Sequence, residues 1–296
     1  MPNVHVNIDS LPQLDDISSR ESSTDVLLVR PTYYDVIYEI NPHMTGNIGN
    51  VNKGLALEQW NILYETYKKL GFQVHVIEGV PDLPDMVFCA NQSFPYLDNN
   101  NQRQVILSKM ASRYRQGEVE HIARWYDKQG YHLIHQTSPP VEFEGMGDAL
   151  WHPNKKILYI GYGFRTSKKA LERAAQCISC DVIGLELIQP HFYHLDTALS
   201  VINENTAIYV KEAFSKTGCE ILDNMFENLI EVPLEEAKHG FVTNGHCPDE
   251  RNFIVHKGNA VTKKKLSDIG IQVWEIDTSE FLKSGGSVFC MKMMLP

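Results

Sequence analysis

Apolar and polar positions along this 296-residue chain alternate between a two-residue and a helical rhythm, and the alternation recurs five times. Residues 1–24 are polar and rich in Ser and Asp, which predicts a flexible lead-in. A buried strand is then expected over 25–31 (DVLLVRP). A helix follows from Gly54 to Leu70, with Leu55, Leu57, Trp60, Leu63, Tyr64 and Tyr67 at helical spacing and Gly71 ending it. Strands over 72–79 and 84–92 (PDMVFCANQ) complete the first set. The same order returns as strand 104–110, helix 117–129 and strand 131–136, with Val119, Ile122, Ala123 and Tyr126 facing inward. It returns again as strand 157–163, helix 168–180 and strand 181–187, and then as strand 206–210, helix 219–229 and strand 229–233. The last copy is strand 252–258, helix 260–269 and strand 271–277. Units of this kind cannot bury both faces alone, so the pattern predicts an α/β fold in which they pack side by side in a ring. No linker-like stretch divides them, and residues 25–296 are expected to form a single domain.

Polar motifs punctuate the apolar pattern at nearly even intervals. The anchors Asn41, Asn91, Glu144, His194, Asn244 and Cys290 are separated by 50, 53, 50, 50 and 46 residues. Each short motif-bearing strand would deliver one polar side chain to a shared centre. A thiol, a histidine and several carboxylates or amides meeting at one point is the composition of a cysteine-nucleophile active site. Cys290 closes SGGSVFC, whose glycines allow a tight turn to present a thiol. His194 and Asp196 (HLDTAL) stand at i and i+2, one face of a strand. Glu144 and Asp148 bracket Gly145-Met146-Gly147, read as a flexible loop that brings two carboxylates to one cation. Asn41 and Asn91 end apolar stretches, and each offers a neutral donor and acceptor. Arg115 and Arg165 are the best-placed cations for a substrate carboxylate, through forked bonding. His191 and His246 are read as structural. Taken singly, most of these residues would be ordinary turn or core positions; their conjunction is what points to chemistry.

Composition narrows the remaining choices. With 43% hydrophobic residues, 22% charged and a net charge of −10, the chain reads as a folded protein with no basic surface for nucleic acid. No run of about 18 apolar residues is present, so no membrane helix is expected. The acidic N-terminus is unlike a signal peptide, which predicts a cytoplasmic location. Six scattered cysteines fit reduced thiols; Cys177 and Cys180 form a lone C-x-x-C without a second ligand pair, and no role is assigned to them. The expected partner is a small-molecule substrate. Oligomeric state is left open, a homo-oligomer included.

FEGMGDAL, HLDTAL and a C-terminal GGSVFC, in that order, resemble the guanidine-modifying (amidinotransferase) superfamily, which includes arginine deiminases, dimethylargininases and arginine dihydrolases. The resemblance runs from about Leu27 to the C-terminus. It implies a five-bladed α/β propeller (pentein) of ββαβ-type modules, with no metal or other cofactor. It also implies that Cys290 attacks the guanidinium carbon to give a covalent thiouronium intermediate, and that His194 shuttles protons. Glu144 would orient that histidine, while Asp148 and Asp196 bind guanidinium nitrogens or support the pocket. Deiminases and dimethylargininases usually carry aspartate where this chain has Asn91. That amide, with INPHM around Asn41, looks like the dihydrolase branch, which takes arginine to ornithine, carbon dioxide and two ammonia molecules. Bacterial dihydrolases often carry a further C-terminal domain, and none is expected here. The expected activity is therefore arginine dihydrolase, with arginine deiminase or dimethylargininase next. A transamidinase and a non-catalytic propeller that binds an arginine-like ligand are the rivals from other classes.

Overall fold

Strand–helix–strand repetition becomes five small sheets in the computed structural model, which describes residues 2–135 and 139–296. In the first, Asp25–Val29 pairs in parallel with Gln73–Ile77 across the helix Lys53–Lys69. The strand's Val26, Leu27, Leu28 and Val29 are all fully buried, as a continuous apolar run covered on both faces should be. The helix is capped by Asn52, whose side chain accepts from the Leu55 amide at 3.0 Å. It buries Ala56, Trp60, Leu63 and Tyr67; Leu57, expected inward, faces solvent.

Three more sheets repeat this plan around Arg103–Leu107, Ile157–Tyr162 and Thr206–Tyr209, each with one parallel and one antiparallel neighbour. In the fifth, Asn252–His256 pairs in parallel with Gln272–Ile276, and a single bridge from Ile254 to His246 replaces the antiparallel strand. The first sheet takes its antiparallel strand from the far end of the chain: Lys292–Leu295 lies against Asp25–Leu28, with Met293 opposite Leu27. The last segment therefore closes onto the first, and Cys290 is placed two residues before the closure. Buried apolar residues form one continuous cluster through all five sheets. Among the described residues no helix is long and apolar enough to cross a membrane.

Three differences from the sequence reading have physical causes. The segment 84–92 is not a strand but two 3-10 turns, Pro84–Val87 and Cys89–Asn91, wholly buried. Pro84 starts the first turn, and burial rather than pleating explains the apolar run. The helix expected at 219–229 is Lys216–Met225, because Ser215 accepts from the Gly218 amide and sets an earlier start. The lead-in expected over 1–24 is tied down: Val4–His5 pairs in parallel with Val182 and Ile183, and Ser19 bridges Lys155. The last position of the strand expected over 131–136 lies outside the described residues; the strand itself spans His132–Ile134.

Ending the chain at Met291 removes the closing strand and exposes Asp25–Val29 along one edge. The expected outcome is loss of the cooperative thermal transition followed by circular dichroism, since burial along that whole edge is lost at once.

Candidate active site

The near-50-residue spacing has a simple structural origin. A single turn of helix precedes the antiparallel strand in two successive units: Gly145–Asp148 before Ala149–Trp151, and Leu195–Ala198 before Leu199–Asn203. Glu144 and His194 each stand just before that turn, so they are equivalent positions in neighbouring units. The 3-10 turns Cys89–Asn91 and Val242–Asn244 take the same place elsewhere. The motifs are thus tight turns, not the strands expected. Asn41 does not share this position; it follows the strand Asp25–Val29 and caps the 3-10 turn Pro42–Met44.

Gly145-Met146-Gly147 is not a flexible loop. Gly145 takes φ of 56°, and a Cβ at Gly147 would collide with the Asn91 amide nitrogen, so both glycines let adjacent units close onto each other. Glu144 and Asp148 also do not converge on one cation. Asp148 accepts from the Leu195 amide at 3.0 Å and the Thr166 hydroxyl at 2.6 Å, which docks one unit onto the next. Thr166 in turn accepts from the Glu144 amide at 3.0 Å. Burial pushes the Asp148 carboxyl up to about 7 against the pull of His194 and these hydrogen bonds.

Cys290 is 4% exposed and sits between two polar groups. Its thiol donates to Asp196 Oδ2 at 3.2 Å and accepts from Asn244 Nδ2 at 3.2 Å. Asn244 Oδ1 accepts from the Ser287 amide at 2.8 Å, and its Nδ2 also reaches the Asp196 carbonyl at 3.0 Å. Asn244 therefore fixes the cysteine turn and the aspartate together. Burial and the neighbouring Asp196 push the thiol well above its usual range, so the ligand-free enzyme carries a neutral thiol. Burial likewise pushes Asp196 up to about 7, while the bond from Cys290 and the charge of Lys292 act the other way. Asp196 Oδ1 is buried with no partner.

The pairing of His194 with Glu144 is equally specific. His194 Nε2 lies 2.6 Å from Glu144 Oε2. A carboxylate only accepts, so Nε2 carries the proton and Nδ1 is the free ring nitrogen. Burial alone would raise Glu144, but the bond from His194 and the charges of Arg165 and Arg115 outweigh it and hold the carboxyl at about 2. Arg165 Nη1 stands 3.4 Å from Glu144 Oε2, its Nη2 donates to the Ile40 carbonyl at 3.0 Å, and the group lies 4.9 Å over the Tyr193 ring.

Arg115 is largely engaged within the protein. Its Nε and Nη2 hold Glu118 at 3.0 and 2.9 Å, Nη2 also reaches the carbonyls of Asp85 and Phe88, and Nη1 donates to Asn91 Oδ1 at 2.9 Å. Because guanidinium only donates, Asn91 must turn its oxygen to Arg115, which leaves Nδ2 as a buried donor without a partner. Asn41 has both amide ends occupied, by the Ser284 carbonyl and the His43 amide, each at 2.9 Å.

A cavity is lined by Asn41, Asn91, Arg115, Arg165, His194 and Cys290, joined by Asp85. Glu144 and Asp196 bear on it through His194 and Cys290, and Asp148 supports the wall. Asn244 and Asp85 were not assigned a role from sequence. Asn244 was one of the evenly spaced anchors, a signal sufficient to find it. Asp85 bonds the Tyr38 hydroxyl at 2.8 Å, and its Oδ1 is buried without a partner; no spacing marks it.

Comparison with known proteins identifies the family. The model of the eukaryotic N,N-dimethylarginine dimethylhydrolase family matches residues 39–295. The bifunctional arginine dihydrolase/ornithine cyclodeaminase AgrE of Nostoc sp. is 32% identical over 267 residues, and the match covers 90% of this chain but 37% of AgrE. The N(G),N(G)-dimethylarginine dimethylaminohydrolase of Mycobacterium tuberculosis is 35% identical over 261 residues, covering 88% of this chain and 82% of that protein. The substrate-bound N-terminal domain of ArgZ, a cyanobacterial arginine dihydrolase, superposes with a TM-score of 0.85 at 31% identity, over 92% of this chain and 97% of that one. On a mixed α/β fold shared with such structures, and on a family match spanning most of its length, this chain belongs to the guanidine-modifying family that includes the dimethylarginine dimethylhydrolases.

Proposed function

We propose that the five sheets are the blades of a propeller whose central cavity hydrolyses arginine to ornithine, carbon dioxide and ammonia, an arginine dihydrolase activity. The observation that carries this reading is the Asn91 amide, locked by Arg115 with its Nδ2 unpaired. A guanidinium is all donor and has nothing for an amide N–H to bind, whereas a ureido oxygen accepts from it. Such a donor holds the citrulline-like intermediate for a second hydrolysis instead of releasing it. Likeness to AgrE and ArgZ supports the same branch.

The cavity residues fit each step. Arginine places its guanidinium against Asp196 Oδ1 and Cys290, and its α-carboxylate toward Arg165, with Arg115 behind. Asn41 shapes the rim. The incoming cation offsets the buried carboxylate and lowers the thiol pKa. Sγ then bonds to the guanidinium carbon, and a C–N bond breaks as His194 protonates the departing ammonia, leaving an amidino-thioether. Water, deprotonated by His194, attacks that carbon and expels Sγ, giving the ureido compound. A second round loses the second ammonia, and hydrolysis of the resulting thiocarbamate yields carbamate, which splits to ornithine and carbon dioxide. Two waters are consumed for two ammonia molecules and one carbon dioxide. Glu144 holds His194 in its tautomer. A dimethylargininase reading draws on the family model and on Ile40, Met44 and Phe88, apolar lining residues able to receive methyl groups.

Incubation with arginine followed by mass spectrometry is expected to give ornithine with little free citrulline. In Asn91→Asp citrulline accumulates, because a carboxylate cannot donate to the ureido oxygen. Wild-type protein that stops at citrulline contradicts the dihydrolase reading, and turnover of methylated arginine alone replaces it with the dimethylargininase one.

Cys290→Ser is expected to retain its thermal transition and arginine binding while losing at least about a hundredfold in turnover. Asp196 must be ionised to hold the cation, and its carboxyl is raised to about 7. For that group kcat/KM is expected to fall as pH drops through about 7. The acid limb of kcat is expected at lower pH, since bound guanidinium favours the carboxylate. Coincident limbs would remove Asp196 from this role.

A further inference from the structure

Lys292 follows the nucleophile by two residues and is 1% exposed. Its Nζ stands 3.3 Å from Met146 Sδ and 3.2 Å from the centroid of the Phe289 ring. A thioether and a ring face are weak company for an ammonium, and among the described residues no carboxylate forms an ion pair with it.

These three side chains line a second cavity of about 120 Å³, which shares no lining residue with the substrate cavity. The segment from Phe289 to Lys292 separates the two, since Cys290 faces one and its neighbours face the other. Arg20 brings a second cation to this wall from the N-terminal segment. Its Nη1 donates to the Glu21 carbonyl at 2.8 Å, its guanidinium lies 5.1 Å from the Trp151 ring, and its Nε is buried with no partner. Glu250, an acid on the same wall, is bonded by Asn154 Nδ2 at 2.8 Å. His246, also on the wall, is held neutral by burial and by Lys292, and its Nδ1 meets the Tyr67 hydroxyl at 2.8 Å.

Lys292 and Arg20 therefore bring two cations to one pocket, whose acid Glu250 accepts a hydrogen bond from Asn154. We propose that this second cavity is a binding site for a small oxyanion, of the carboxylate, sulfate or phosphate class, gripped by Lys292 and Arg20. The packing of residues 19–20 onto Lys155 and Asn154 gives the N-terminal segment a purpose, because it carries Arg20 to the cavity. Burial lowers Lys292 to about 7, against the pull of Asp196 behind it, and lowers Arg20 to about 10, the direction an added anion would reverse.

Sulfate is the direct probe, since its charge is constant near neutral pH. Isothermal titration of the full chain at low ionic strength is expected to show saturable binding of one sulfate, with a matching rise in Tm. Arg20→Ala and Lys292→Met are each expected to weaken binding by at least about tenfold. Arg165→Ala, which removes a cation from the substrate cavity only, is expected to leave it within about twofold. No saturable sulfate binding to the wild type overturns the proposal. So does binding that survives Arg20→Ala. Binding lost in Arg165→Ala but kept in Arg20→Ala places the anion in the substrate cavity and overturns it equally.

Discussion

A buried carboxylate with one oxygen on a neutral thiol and the other on nothing is the interaction around which this molecule is organised. Asp196 Oδ2 accepts a hydrogen bond from the Cys290 thiol at 3.2 Å and Oδ1 has no partner. Burying an uncompensated carboxylate costs several kcal/mol, so the surrounding structure must hold it in place against that penalty. Asn244 does so by bonding the Cys290 sulfur, the Ser287 amide and the Asp196 carbonyl with a single amide. On the proposed reading a bound cation completes the arrangement and lowers the thiol pKa, which links substrate charge to thiol reactivity.

The fold supplies that centre by repetition. Glu144 and His194 occupy one place in consecutive units, and packing those units edge to edge brings them to 2.6 Å. Asp148 and Thr166 fasten the same boundary, while Gly147 makes room for Asn91 at the next. Lys292–Leu295 returns to pair with Asp25–Leu28, so Cys290 is positioned by the contact that joins the last segment of the chain to the first. Arg115 plays a related part: its fork on Glu118 and on two carbonyls makes it a fixed post against which the Asn91 amide is oriented.

Much of this was legible in the residues. Fully buried runs such as 26–29 and 157–160 read as strands because nothing polar interrupts them, and Cys290, His194 and the acids around them stood out by type and spacing. Other features depended on long-range contacts. The apolar run 84–92 reads as a strand, yet it is two turns buried on every side, which periodicity does not distinguish. His194 and Asp196 reach the centre across a change from extended backbone to helix, not along one face of a strand. Asn41 shared the spacing of the other anchors but occupies a different place in its unit. The polar N-terminal segment gave no apolar signal, and its order comes from strand pairing with residues 182–183.

The thiolate absorbance of Cys290, taken as the difference between wild type and Cys290→Ser during an alkaline titration, tests this account most directly. In the ligand-free protein the signal should emerge only well above 9, the ordinary thiol value. Guanidinium ion at millimolar, non-denaturing concentration should move the midpoint to lower pH. A thiolate already present near neutral pH without ligand, or a midpoint that guanidinium leaves unmoved, would contradict it.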